Sequence, residues 1–258
     1  MKSPLDPGAR PVLVFSHPNH ELAVWGLVQR VRPHFVFLTD GGGPDREAET
    51  REGLERLDLL GCARFLGHGE QDLYGALLDR DLGFLRELGR QLRTELERVD
   101  PTHLLGDAVE LYNPVHDLTR PLLAFASRGE APIFEVPLIY QRPEDREHYE
   151  VQRFPAERPG PRLRLSLSEA ELEAKLAARD EVYSLLRAQL GPLLFEPEAR
   201  FAREEIAPVH ETLTGPGEGC ALRYERRGEL LHRQGQVKAV ITHAHHYVPI
   251  ARALMEAA

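Results

Sequence analysis

The stretch Pro11-Val12-Leu13-Val14-Phe15-Ser16-His17-Pro18-Asn19-His20-Glu21 decides how this chain is read. An apolar run of strand length gives way to small and polar residues. An apolar-rich segment, Leu22-Ala23-Val24-Trp25-Gly26-Leu27-Val28, follows at once. That is the pattern of a buried strand, a loop and a helix. In an open parallel sheet, ligands bind outside the carboxyl ends of the strands. The loop therefore brings two imidazoles and a carboxylate to the edge where such folds keep their chemistry. His17 and His20, three residues apart, can grip one metal ion from a single turn. The competing reading is an ordinary polar loop between strand and helix.

Outward from this stretch the same alternation continues. Pro33 to Asp40 reads as a second buried strand ending in Gly41-Gly42-Gly43-Pro44. A glycine loop there can cradle phosphate, but it lacks both GxGxxG spacing and a GK[ST] ending, so a nucleotide-dependent enzyme is only an outside reading. Glu47 to Leu60 reads as a charged helix closed by Gly61, and Ala63 to His68 as a third strand with Asp72 and Tyr74 in its following loop. Leu78, Leu82, Leu85, Leu88, Leu92, Leu96 and Val99 repeat at three and four, the mark of one amphipathic helix. Thr102 to Ala108 is a fourth strand, Leu118 to Ala126 a helix, and Ala131 to Tyr140 a fifth strand. Strands alternating with helices over 11–140 predict an α/β, Rossmann-like, doubly wound and mainly parallel sheet.

Beyond residue 140 the pattern changes. His148 to Phe154 and Arg162 to Leu167 alternate like the strands of an antiparallel hairpin, and Ser168-x-x-Glu171 is a capping box opening a helix to about Leu190. Residues 196–221 show no clear period. The expected organisation is a metal-site core over 1–140 with a hairpin-plus-helix appendage over 141–258 packed on the same domain.

Composition narrows the function classes. At 258 residues the chain can bury a substantial core, and its net charge of -9 argues against non-specific nucleic-acid binding. Cys62 and Cys220 alone are too few for a disulfide framework. No apolar run approaches a membrane span or a signal peptide. The expectation is a soluble, cytoplasmic protein acting on a small molecule, with no nucleic-acid or membrane partner. Its oligomeric state is left open, a homo-oligomer included. Asparagine is used only at Asn19 and Asn113, each beside a histidine of interest.

Those histidines are His17 and His20 after the first strand and His116 after the fourth. Three neutral imidazoles with an open fourth position suit one catalytic zinc ion. His243, His245 and His246 form a further cluster, read as a polar lead-in to the last helix.

These residues resemble the LmbE/PIG-L-like N-acetylglucosaminyl deacetylase family. Its first strand ends in [AP]-H-P-D-D-E, where this chain has Ser16-His17-Pro18-Asn19-His20-Glu21, and its later H-P-D-H corresponds to Asn113-Pro114-Val115-His116. Thr39-Asp40-Gly41, Glu52 through Leu60-Gly61, Phe65-Leu66-Gly67 with Asp72, and Lys175 with Tyr183 resemble supporting family segments in the same order. The resemblance spans roughly 11–190. It implies a Rossmann-like, metal-dependent hydrolase fold, with zinc held at His17, His20 and His116. It places Asn19 where the family has its general base, and Asn113 and Val115 where it has an assisting His and Asp. The metal site looks kept while the acid–base apparatus is replaced.

The favoured function is a divergent zinc hydrolase cleaving an N-acyl amide of a sugar-like or small amine substrate. The alternative is a catalytically inactive relative that binds metal or a sugar-like ligand. Asn19, Glu21, Asn113 and Asp117 are the candidate catalytic residues. Asp40, Asp72 and Glu110 are candidates for binding substrate, with Asp40 and Glu110 also able to shuttle protons.

Overall fold

A computed structural model describes residues 3–141, 149–191, 201–209 and 222–258. Its centre is a seven-stranded sheet. Strands β1 (Pro11–Phe15), β2 (His34–Thr39), β3 (Ala63–His68), β4 (His103–Asp107) and β5 (Ile133–Val136) are parallel, in the order β3-β2-β1-β4-β5. The chain thus winds outward from β1 through β2 to β3. It then returns to the other side of β1 for β4 and β5. β1 and β4 are neighbours, with Leu13 opposite Leu105, and the direction of winding reverses between them. In doubly wound sheets that reversal opens a crevice at the carboxyl ends.

Period-two alternation feeds two separate cores. Leu13, Phe15, Phe35 and Phe37 pack on one face with residues of helices α1 (Trp25–Val31), α2 (Pro44–Arg56), α6 (Glu169–Glu181) and α7 (Ser184–Leu190). Val12, Val14, Val36 and Leu38 pack on the other with α3 (Glu70–Asp79), α4 (Leu82–Val99), α5 (Pro114–Ser127) and α9 (Val248–Met255). With both faces covered, the inner strands read as continuous apolar runs.

Several boundaries depart from the sequence reading. The leucine repeat of 78–99 falls on two helices, because Arg80 takes a left-handed conformation (φ 51°) and Asp81 starts α4 by accepting from Phe84 N at 2.9 Å. Asp72 and Tyr74 lie on α3 rather than in a loop. The long helix expected after Ser168 breaks at Val182 and Tyr183. There Tyr183 turns inward to donate to Glu21 Oε1 at 2.8 Å. Any side chain at Gly53 would collide with its hydroxyl, so glycine is required on α2.

The expected hairpin is two antiparallel pairs instead. β7 (Tyr149–Val151) pairs with β6 (Ile139–Gln141), and β8 (Leu163–Ser166) pairs with β9 (Arg203–Pro208). β9 also pairs antiparallel with β5, so β9 and β8 extend the main sheet. His148 and Cys220 lie outside the described residues.

β9 escaped notice because its inner positions carry acids. Glu204 is buried and accepts from Gly26 N and Leu27 N, each at 2.8 Å, and from Lys175 Nζ at 2.9 Å. Lys175 Nζ also donates to Ala23 O at 3.1 Å. This buried pair fixes the start of α1, and with it the 3₁₀ turn His20–Val24 that follows the first strand.

Candidate metal centre

The carboxyl ends of β1 and β4 supply the site. Ser16 N donates to Asp107 Oδ2 at 2.8 Å, joining the two strand ends. Thr39 Oγ1 donates to Ser16 O at 2.7 Å, which fastens the end of β2 beside them. The chain then turns through Asn19 in the left-handed region (φ 79°), where asparagine is among the tolerated residues. This turn carries His17 and His20 to one side of the crevice. Across it, Asn113 caps α5 by accepting from Val115 N at 2.9 Å, and His116 sits in the first turn of that helix.

Sequence separation of nearly a hundred residues is thus closed into one cluster. One ring nitrogen from each of His17, His20 and His116 lies within 4.8 Å of the others, and all three residues are buried. The ring centroids are 5.2, 4.9 and 4.6 Å apart. His17 Nδ1 faces His116 Nε2 at 3.1 Å. Zinc–nitrogen bonds of about 2.0–2.1 Å in a tetrahedral shell set ligand nitrogens about 3.3 Å apart, so this spacing suits a shared ion.

His20 Nδ1 lies 3.0 Å from Asp107 Oδ1. That contact selects the tautomer and leaves Nε2 free, the arrangement in which an outer carboxylate orients a metal-ligating histidine. His17 Nε2 has Glu70 Oε1 at 3.1 Å, off the direction of a hydrogen bond, and among the described residues it is otherwise unpartnered, as is His116 Nδ1.

Burial pushes the His20 and His116 imidazoles below their ordinary values. The Asp107 carboxylate works against this at His20, while at His116 the neighbouring histidines add to it. Neutral imidazole is the form that binds a metal. Burial works to raise the Asp107 carboxyl. His20 and Ser16 outweigh it and hold the group below its usual range, as an anion. The donor set, its spacing and its outer carboxylate all fit a divalent ion.

The cluster opens into a cavity of about 300 Å³. Arg46, Glu70, Asn113, Gln152 and Arg223 share its lining with the three histidines. Arg46 donates to Gly41 O at 3.2 Å, but its Nε is buried without a partner among the described residues. Glu70, at the start of α3, is the one carboxylate in the cavity lining among the described residues. Burial alone would raise it, yet His17 and Arg46 hold it below its ordinary value. The glycine loop offers no phosphate cradle. Gly41 N donates to Thr39 Oγ1 and Gly42 N to Asp40 Oδ1, so its first amides are already occupied.

No family model matches the sequence, and no curated protein matches it either. Solved structures do. The A40926 pseudoaglycone deacetylase Dbv21 aligns with a TM-score of 0.57 at 16% identity, over 80% of this chain and 99% of that one. A deacetylase of teicoplanin biosynthesis, solved as a bog complex, aligns at 0.54 and 14%, over 79% and 100%. A deacetylase–teicoplanin complex aligns at 0.51 and 14%, over 78% and 98%. The chain has the fold of these deacetylases. That is the α/β architecture which the motif resemblance implied.

Within this fold the sequence-derived candidates separate into two groups. His17, His20, His116, Asn19 and Asn113 all line the cavity. Glu21, Asp40, Asp72, Glu110 and Asp117 do not. Their carboxylates bind backbone or neighbouring side chains instead.

Glu21 lies fully buried under the turn, bonded to Tyr183, and burial raises its carboxyl. Asp40 accepts from Gly42 N and Glu70 N, and exposed Asp72 accepts from Gly69 N at the start of α3. Asp117 accepts from Glu110 N and Leu111 N and is pushed up to about 7 by burial. Glu110 accepts from Leu138 N at 2.6 Å and Ile139 N at 2.9 Å, with burial raising it well above its ordinary value. These acids build the loops that hold the histidines.

Asn19 also has its amide engaged. Nδ2 donates to Glu49 Oε2 at 2.8 Å, and Oδ1 accepts from Thr50 Oγ1 at 2.9 Å. The further histidines lie in the turn before α9 and none of them joins the cluster. His243 N donates to Glu225, and His246 Nδ1 accepts from Thr242 N.

Sequence reasoning passed over Asp107, Arg46, Glu70 and Arg223. A signal existed for the first three. Asp107 ends β4, while Arg46 and Glu70 open the helices that follow β2 and β3, so all stand at strand carboxyl ends.

Proposed function

We propose that the protein is a zinc-dependent hydrolase that removes an N-acyl group from an amine-bearing small molecule, a sugar-like one included. The observation that carries this reading is the convergence of three buried imidazoles on the floor of an open cavity, one of them oriented by Asp107. His17, His20 and His116 would hold the ion. Zinc bound there would supply Lewis acidity toward the amide carbonyl and lower the pKa of water.

The chain's own groups take the remaining roles. Glu70, ionised and lining the cavity, accepts a proton from the attacking water and returns it to the departing amine. The Arg46 guanidinium, which lines the cavity, donates to the carbonyl oxygen as negative charge grows on it. Asp107 keeps the His20 ring in place. Asn113 offers its side-chain amide at the cavity wall while its Oδ1 holds the α5 cap and accepts from Tyr74 at 3.2 Å.

One observation favours the second reading, an inactive relative that retains metal. Asn19, where the resemblance puts a general base, carries no proton-accepting group and is bonded away to Glu49 and Thr50. Elemental analysis and turnover of an N-acyl amine panel separate the two. The hydrolase reading expects about one zinc per chain in wild type, loss of zinc in His17→Ala and His116→Ala, and loss of turnover with zinc retained in Glu70→Gln. Zinc content unchanged in both histidine variants would sink the assignment. Bound zinc with no amide cleaved would leave the inactive relative.

A further inference from the structure

A second cavity, of about 590 Å³, adjoins the metal centre and shares Glu70, Tyr112, Asn113 and Arg223 with it. It runs between α3, helix α8 (Arg223–Arg233) and the segment Val237–Ile241. No role described so far uses it. Its walls combine two chemistries. Tyr74, Leu78, Leu231, Val237 and Ile241 give an apolar channel. Arg223, Arg227 and Lys238 give positive charge, and among the described residues Glu70, which already faces His17, is the one acid of the lining.

That balance runs opposite to a chain whose net charge is -9. The three cationic side chains make no hydrogen bond or ion pair among the described residues. Arg223 only lies over the Tyr112 ring, 3.9 Å from its centroid. The Tyr224 hydroxyl, also in the wall, is buried without a partner among the described residues. A guanidinium stacked on an aromatic ring at the junction of two cavities is held ready for a planar anion while it keeps its donors free.

We propose that this cleft binds the part of the substrate remote from the scissile bond, and that it selects an apolar body bearing an anionic carboxylate or phosphate group. Arg223 contacts the anion where the cleft meets the metal centre. Arg227 and Lys238 add attraction at the mouth, and the leucine, valine and tyrosine side chains take the apolar part. The inference deepens the amide-hydrolase reading and takes the word substrate from it.

The test is calorimetry on the zinc-loaded protein with n-octanoate, n-octyl phosphate and neutral octanamide as probes. At least one anion is expected to bind about tenfold or more tightly than octanamide, the scale of one charge-assisted hydrogen bond. Arg223→Met should erase that preference. Gly75→Leu fills the cleft from α3, where an added Cβ meets nothing within 4 Å, and should weaken all three probes tenfold or more. His17→Ala should leave anion affinity within about threefold, since the cleft and not the ion is the receptor.

Equal affinity for octanamide and both anions would overturn the proposal. So would unchanged anion binding in Arg223→Met and Gly75→Leu, or anion binding lost only in His17→Ala. These readouts do not depend on turnover. A protein that cleaves no amide but passes them loses only the hydrolase reading, and an amidase that fails them loses only the cleft.

Discussion

Replacing Asp107 by asparagine tests how the site is held together. The aspartate accepts three bonds: from His20 Nδ1 at 3.0 Å, Ser16 N at 2.8 Å and Thr119 Oγ1 at 3.2 Å. Its two oxygens divide the work, Oδ1 toward His20 and Oδ2 toward Ser16 and Thr119. Asparagine keeps the shape but has one oxygen. If that oxygen faces Ser16, the new NH₂ points at His20 Nδ1–H, and the ring must flip its tautomer or turn. If it faces His20, the NH₂ opposes a buried backbone N–H.

The first arrangement disturbs the ligand, and loss of an outer-shell partner typically weakens a metal site roughly 10–100-fold, or about 1.4–2.7 kcal/mol. The second leaves a buried donor unpaired at about 1–3 kcal/mol of fold stability. Asp107→Asn should therefore lose zinc affinity, metal-free stability, or a share of both, totalling about 1–3 kcal/mol. Competition against a chelator of known affinity reads the first quantity, and urea unfolding of the metal-free protein reads the second. Wild-type values in both would refute the idea that Asp107 orients His20.

Other consequences follow from named contacts. Asn19→Asp places a carboxylate 2.8 Å from Glu49 Oε2 in place of a donor; urea midpoints should report a loss of about 1–3 kcal/mol at neutral pH, recovered in part by adding Glu49→Gln. Lys175→Met leaves Glu204 buried with only two backbone donors. Breaking a buried pair in this way typically costs about 3–5 kcal/mol; a measured loss below about 1 kcal/mol would show that the pair does not anchor α1. Glu171 accepts from Arg30 Nε at 2.6 Å, and that bond pulls its carboxyl from 4.5 to about 2. A depressed folded-state value stabilises above the unfolded one, so this contribution is present above pH 4.5 and disappears as pH falls toward 2. Arg30 is 37% exposed, so screening limits the effect to about 1 kcal/mol or less; the stability gap between wild type and Glu171→Gln should close over that acid window.

What could be read from the sequence, and what could not, divides along physical lines. β1 and β2 are buried on both faces, so they appear as runs of Val, Leu and Phe, and the order of strands with helices gives the parallel sheet. The three histidines were legible because strand carboxyl ends are where such sheets gather chemistry. β9 was not legible, since its buried acids make sense only beside Lys175, Arg164 and the amides of α1. The helix break at Arg80 was hidden as well, because a left-handed arginine leaves no mark in a leucine repeat. The loop carboxylates misled in the opposite sense. Glu21, Glu110 and Asp117 stand close to the histidines in sequence, but each points at a backbone or a tyrosine. Proximity along the chain names the neighbourhood of a site; only three-dimensional contact says which acid faces the cavity.

The substitutions that set this chain apart from the motif pattern are coupled by charge. A divalent ion among His17, His20 and His116 would find no charged group among its ligands. It would find one carboxylate behind each of two imidazoles, Asp107 at His20 and Glu70 at His17. Two negative charges one ring away balance two positive charges without crowding the coordination shell. A carboxylate at position 20 would sit against Asp107 deep in the protein, where like charges at such a distance repel strongly. A carboxylate at position 19 would sit against Glu49, which is itself fixed to Ser184 Oγ at 2.7 Å and Leu185 N at 2.8 Å on the neighbouring helix. Neutral residues at 19 and 20 are thus what the surrounding acids permit. Any proton acceptor must then come from another wall of the cavity, and among the described residues Glu70, which opens α3 after β3, is the carboxylate that stands there.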